Sequence, residues 1–263
     1  MLFINPQWQG SGITNELKAG AETLKLFFKD YKFKEISLYE KDLETHHNII
    51  AYNSILKQTE FFKNEIAERK LKKIATIGGD CGIEIIPISY LNKIYNNDLC
   101  VIWIDAHADL NTPESSPSKT FHGMPLRTLL GEGNENIKKL LFSTIKPQQI
   151  GFVGLRDLDN PEIEYIASNN IKSVLRCDYS DLENTIKSFN NVYIHLDLDV
   201  LDESEFKYTM FPTSNGFKIN EVNDLITEIK QKSNAVGICI TESKAAKLEQ
   251  LEPIRKILEQ III

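Results

Sequence analysis

Short apolar runs separated by polar stretches recur along the chain, at 2–4, 36–39, 74–77, 100–104, 150–153, 172–175, 192–196 and 235–240. Their length and near-continuous apolar character predict eight strands. Helical spacing of apolar positions appears between many of them, at 15–29, 47–69, 160–169 and 220–232, with a short helix-like segment at 252–263. Thr14 ahead of Leu17, and Asn220 followed by Asn223, supply helix starts. Strands without polar alternation, interleaved with helices, predict a parallel sheet covered on both faces. The expected architecture is a three-layer α/β/α domain with a central parallel eight-stranded sheet, spanning residues 1–263.

Chemistry-bearing residues collect just after these runs. Gly78-Gly-Asp80-Cys81, Asp105-Ala-His107-Ala-Asp109, Gly154–Asp159, Asp197-Leu-Asp199 and Thr241-Glu242 each follow a predicted strand. In open parallel sheets, ligands bind beyond the carboxyl ends of the strands. Alternate side chains of an extended strand share one face, so Asp105, His107 and Asp109 can converge, as can Asp197 and Asp199. Four carboxylates and an imidazole gathered there repel one another without a cation. The residues therefore predict a hard divalent metal site, with two metals. The polar loop 111–121 follows the cluster and reads either as a substrate loop or as a solvated connector.

Composition narrows the partners. The 263 residues are 42% hydrophobic and 25% charged, enough to bury one α/β core. A net charge of −7, part of which bound metal would offset, argues against a nucleic-acid surface. No apolar stretch is long enough to span a bilayer, and Met1-Leu-Phe-Ile4 lacks the basic start of a signal peptide. Cys81, Cys100, Cys177 and Cys239 show no CxxC spacing, and three of them lie in or beside strand-like runs, where reduced buried thiols are expected. A cytoplasmic location fits these features.

From about residue 74 to 242, the motifs Gly78-Gly-Asp-Cys81, Asp105-Ala-His-Ala-Asp109, His122-Gly-Met-Pro125, Gly154-Leu-Arg-Asp-Leu-Asp159, Asp197-Leu-Asp-Val-Leu-Asp202 and Ile240-Thr-Glu242 resemble, in order and spacing, the ureohydrolases. This is the arginase–agmatinase family of binuclear manganese hydrolases. The resemblance implies a single α/β domain, two Mn2+ ions and a homo-oligomer. It implies that Asp105 and Asp197 bridge the metals, that Asp109 binds the first, and that His107 and Asp199 bind the second. A metal-bridging hydroxide would attack the guanidinium carbon. Asp109 would move a proton to the leaving amine, Glu242 would hold the guanidinium, and His122 would shuttle protons near neutrality. Asn111, Ser118, Asp159 and Glu162 fall where arginases bind the α-carboxylate and α-amino groups, so the resemblance favours L-arginine, giving L-ornithine and urea. The alternatives are an agmatinase-like or formiminoglutamase-like hydrolase, and a catalytically impaired binding protein. Asp157 reads as structural, paired with Arg156 or with a neighbouring subunit.

Four departures bear on this implication. Cys81 stands where the family has a metal-ligating His. It can ligate as a thiolate and favour softer metals, stay uncoordinated beside a weakened first site, or mark lost activity. His195 lies two residues before Asp197 and reads as a partner orienting a carboxylate, a replacement ligand, or a hydrogen-bonded core histidine. Phe211 occupies a place where a small polar residue lines the pocket in the family. After Glu242 comes Ser243-Lys-Ala245, with Lys244 read as solvated or carboxylate-binding.

Overall fold

The protein is described by a computed structural model covering residues 1–12 and 14–262. Eight strands form one sheet: β1 Leu2–Ile4, β2 Phe33–Glu35, β3 Ile74–Ile77, β4 Leu99–Ile104, β5 Ile150–Val153, β6 Lys172–Val174, β7 Asn191–Asp197 and β8 Asn234–Thr241. Their order is β2-β1-β3-β8-β7-β4-β5-β6, and every pairing is parallel. β4 and β7 are buried along their whole length, as is β8 beyond its first residue. Burial on both faces is why they read as unbroken apolar runs.

Successive residues of β4 divide between two hydrophobic layers. Ile102 and Ile104 pack with Leu24, Leu182 and Leu225, on the face covered by the helices Glu16–Phe27, Tyr179–Lys187 and Ile219–Lys232. Val101 and Trp103 pack with Ile55, Phe62 and Leu91, on the face covered by Tyr52–Ala67 and Ile85–Ile94. Asn160–Ser168 joins this second layer through Tyr165 and Ile166.

The predicted runs 2–4, 74–77 and 150–153 coincide with strands, and four others differ by one residue at one or both ends. The run 36–39 does not form a strand. β2 lies before it, at the sheet edge, where Phe33, Lys34 and Glu35 are all partly exposed and present no apolar run. The helix expected from residue 47 begins at Tyr52, because His47, Asn48 and Ala51 adopt positive φ. The helix expected to start at Asn220 begins at Ile219, with the Glu221 carboxylate accepting the Lys218 amide at 2.7 Å. The 252–263 segment breaks into a 3-10 turn over Glu252–Ile254 and an α-helix over Arg255–Glu259, and Ile263 lies outside the described residues.

The chain passes from β3 to β4 across the positions of β8 and β7. The loops after β3 and β4 therefore flank, from opposite sides, a crevice over the carboxyl ends of β8 and β7. The strands that carry the chemistry, β3, β8, β7, β4 and β5, are consecutive neighbours.

A bulge between Val192 and Tyr193 sets Tyr193 opposite Gly237. A Cβ on Gly237 would meet Tyr193 Cδ2 at 2.0 Å. Gly237→Ala is expected to destabilise the fold by about 1–3 kcal/mol, seen as a lower urea midpoint at unchanged slope. An unchanged midpoint would mean that this strand contact has room to spare.

Candidate metal centre

Two glycines with positive φ, Gly78 and Gly79, turn the chain after β3. A Cβ at Gly79 would lie 2.5 Å from the Gln7 carbonyl, so only glycine fits there. The turn buries Asp80, which accepts hydrogen bonds from Gln7 Nε2 at 2.9 Å and from the amides of Gly10 and Gly82 at 2.8 and 2.9 Å. Asp80 thus ties the N-terminal segment to the site. Cys81 follows, buried, with its thiol donating to Asp197 Oδ2 at 3.1 Å and lying 3.4 Å from Thr241 Oγ1.

Strand alternation does not bring Asp105, His107 and Asp109 together, contrary to the period-two expectation. β4 ends at Ile104, and the next residues bend out of the sheet. Asp105 Oδ1 accepts the His107 amide at 2.7 Å. His107 turns its Nδ1 to Asp199 Oδ2, at 3.0 Å, and its Nε2 to Asp157 Oδ2, at 3.5 Å. Asp109 takes φ 53°, a left-handed conformation costing about 1–3 kcal/mol in a non-glycine residue. From β7, Asp197 Oδ1 accepts the Asp199 amide at 2.7 Å, and Asp199 Oδ1 accepts that of Ala106 at 3.2 Å. Glu242, also left-handed at φ 63°, accepts Ser11 Oγ at 2.9 and 3.1 Å and the Cys81 amide at 3.3 Å.

Three groups of potential ligand atoms result, each within 4.8 Å of one another: Asp105, His107 and Asp199; Cys81, Asp105, Asp109 and His195; and Cys81, Asp197 and Glu242. Burial, reinforced by neighbouring carboxylates, pushes the carboxyls of Asp109, Asp197 and Glu242 well above their ordinary range. Burial and Asp105 raise Asp199 to about 6. Burial also opposes charge on Asp105, but His107 and His195 outweigh it and hold that carboxyl low. Asp109 Oδ2 is buried without a hydrogen-bond partner among the described residues. A buried oxygen left unpaired costs about 1–3 kcal/mol, and clustered carboxylates suit hard divalent cations. The donor set fits bound metal.

His122 stacks on Phe211 with ring centroids 4.9 Å apart, and its Nδ1 lies 3.8 Å from Glu242 Oε1. Burial, helped by His107, lowers His122 to about 4, below the near-neutral range expected of it. Beside it a cleft of about 210 Å³ is lined by His107, Asp109, Asn111, Ser118, Asp159 and Glu162, among others. All four predicted headgroup residues therefore reach one cavity. Asn111 Nδ2 donates to Asp159 Oδ2 at 2.8 Å. Glu162 is already engaged, accepting the Leu110 and Asp159 amides at 2.9 and 3.0 Å. Asp157 faces His107 rather than Arg156. Arg156 instead donates to the carbonyls of Asp199, Thr213 and Ser214, holding the Phe211 loop against the centre. Lys244 pairs its amide with the Tyr208 carbonyl at 2.9 Å.

Three participants escaped sequence reasoning. Ser11 reaches Glu242 across 231 positions of sequence, and no local motif marks it. Glu84 contacts His195 across 111 positions; its sole signal was a carboxylate within an apolar stretch, Ile83 to Ile86. Trp103 donates Nε1 to Asp105 Oδ2 at 3.1 Å.

The arginase family model matches residues 13–249. Arginase of Staphylococcus aureus strain MRSA252 is 34% identical over 226 residues, covering 81% of this chain and 74% of that protein. Arginase of strain COL is 44% identical over 156 residues, 55% of this chain and about half (51%) of that protein. The crystal structure of Entamoeba histolytica arginase in complex with L-ornithine superposes with a TM-score of 0.86 at 23% identity, covering 100% of this chain and 97% of that one, a likeness of fold.

Carboxyls with raised pKa support the fold while protonated. That support is present below their unfolded values and lost as pH rises through their folded values, for Asp199 from 3.8 to about 6. Metal-free protein is expected to melt at lower temperature at pH 8 than at pH 5. Added divalent metal should raise Tm at pH 8 by at least about 3 °C more than at pH 5. Equal shifts at both pH values, read by calorimetry, would contradict this picture of the cluster.

Proposed function

The chain belongs to the arginase family, metal-dependent hydrolases of guanidino C–N bonds, and on that premise we propose that its substrate is L-arginine, cleaved to L-ornithine and urea. One observation carries the choice of substrate. A single cleft runs from His107 and Asp109 to Asn111, Ser118 and Asp159. Its inner end offers carboxylates to a guanidinium, and its outer end offers amide, hydroxyl and carboxylate groups to an amino-acid headgroup. Agmatine has no carboxylate to use the donors. The relative bound to L-ornithine supports the same reading.

In this proposal two divalent ions, Mn2+ by family likeness, would be held by Cys81, Asp105, His107, Asp109, Asp197 and Asp199, with Cys81 and Asp109 serving the first position and His107 and Asp199 the second. When bound they supply Lewis acidity and lower the pKa of water. The remaining work falls to the side chains. Asn111 and Ser118 donate to the α-carboxylate, and Asp159 accepts from the α-ammonium. Glu162, with both oxygens on backbone amides, keeps Asp159 and Leu110 in place. Water adds to the guanidinium carbon; Asp109 takes its proton and delivers it to the ornithine nitrogen as the C–N bond breaks. Glu242 holds the guanidinium nitrogens, with Ser11 fixing its carboxylate. His122, whose Nδ1 lies 3.8 Å from Glu242 Oε1, is the proposed proton relay at the cleft wall. Residues 1–263 act as one domain, as a homo-oligomer in the cytoplasm, in keeping with four free thiols.

Urea release from L-arginine and from agmatine, set against formamide release from formiminoglutamate, tests the reading with Mn2+ or Co2+ supplied. Arginine is expected to be preferred; no urea from arginine with either metal would overturn it. Asp159→Ala should raise KM for arginine about 10-fold or more while leaving kcat less affected. An unchanged KM would remove Asp159 from headgroup binding.

A further inference from the structure

His195 is a buried titratable group that this mechanism leaves unused. It lies in β7, wholly buried, with its ring stacked on Trp103 at a centroid distance of 3.5 Å and an interplanar angle of 14°. Stacking fixes the ring plane. Glu84, one turn beyond Cys81, meets Nδ1 at 2.5 Å and fixes the ring's rotation. Nε2 is left pointing at Asp105 Oδ2, 3.2 Å away. It falls with Cys81, Asp105 and Asp109 in one group whose ligand atoms lie within 4.8 Å of one another.

Metal-ligating histidines characteristically donate their second ring N–H to a carboxylate, which sets the tautomer and aims the free lone pair at the metal. Glu84 and His195 have that relation. With Nδ1–H donated to Glu84, the Nε2 lone pair faces the Asp105 carboxylate, an arrangement that repels unless a cation or a proton lies between. The unpartnered Asp109 Oδ2 independently indicates a missing ligand in the same group. The family's first-position histidine is replaced by Cys81, so a nitrogen donor entering from β7 restores what β3 has lost.

We propose that the first metal position is a rebuilt site in which His195 Nε2 and Cys81 Sγ join Asp105 and Asp109, with Glu84 as the positioning residue behind His195. The inference rests on the two-metal reading above. One thiolate and one imidazole make this position softer than the second, which is built from His107 and carboxylates, and favour Co2+, Zn2+ or Fe2+ over Mn2+. Metal uptake there displaces the thiol proton that now bonds Asp197, so binding releases a proton to solvent.

Cobalt titration of the metal-free full-length protein tests this without reference to turnover. One equivalent per chain should produce a thiolate-to-cobalt charge-transfer band that Cys81→Ser abolishes. His195→Gln should keep the band and weaken first-site binding about 10-fold or more. Glu84→Gln, which disturbs the fold less, should weaken it several-fold. X-ray absorption then separates ligand from neighbour: in a His107→Ala background, imidazole scattering from bound cobalt should disappear on adding His195→Gln. Two bound cobalt ions without a thiolate band, or imidazole scattering unchanged by His195→Gln, would overturn the inference and leave the hydrolase reading standing. Failure to bind any metal would overturn both.

Discussion

Mutual repulsion among buried carboxylates is the constraint on which this structure depends. Asp105, Asp109, Asp197, Asp199 and Glu242 are each at most 3% exposed, crowded at the carboxyl end of neighbouring strands. No fold gathers such charge by its own preference, because desolvation and like-charge contact both act against it. The surrounding elements make sense as devices that hold the cluster in spite of itself. Asp109 and Glu242 accept left-handed backbone, Ser11 and the Cys81 amide satisfy Glu242, and the amides of His107, Ala106 and Asp199 engage three of the aspartates. Asp109 Oδ2 stays unsatisfied among the described residues, and a bound cation would complete it.

The sheet order explains why the cluster forms where it does. β3 and β4 leave opposite sides of the β8–β7 pair, so their loops face each other over a crevice into which β7 and β8 send acidic ends. Arg156 then ties the following loop to the Asp199 carbonyl. Phe211, at φ 50°, stacks on His122, whose Nδ1 lies 3.8 Å from Glu242 Oε1. This aromatic lining is a marked difference from the small polar residue implied by family likeness.

Much of this was legible in the chain. Central strands announce themselves because burial on both faces demands unbroken apolar runs, and the acidic motifs stand out because each follows one. β2 was missed because Phe33, Lys34 and Glu35 are all partly exposed and form no apolar run. The convergence of Asp105, His107 and Asp109 was anticipated for the wrong reason: a bend and a left-handed residue perform it, and neither leaves a period-two trace. Ser11 could not be read at all, and Glu84 only as a carboxylate within an apolar stretch, since their roles exist through contacts 231 and 111 positions away. His195 was visible as an oddity, but its tie to Glu84, which selects among its readings, is a tertiary fact.

The central claim is that the carboxylate cluster exists to hold two divalent cations, and an anomalous-difference map from crystals grown with Co2+ tests it most directly. The account predicts two peaks over the ends of β7 and β4, both bordered by Asp105 and Asp197, with one also bordered by Asp109. A well-ordered cluster without a peak, its carboxylates satisfied by protons and water alone, would contradict it.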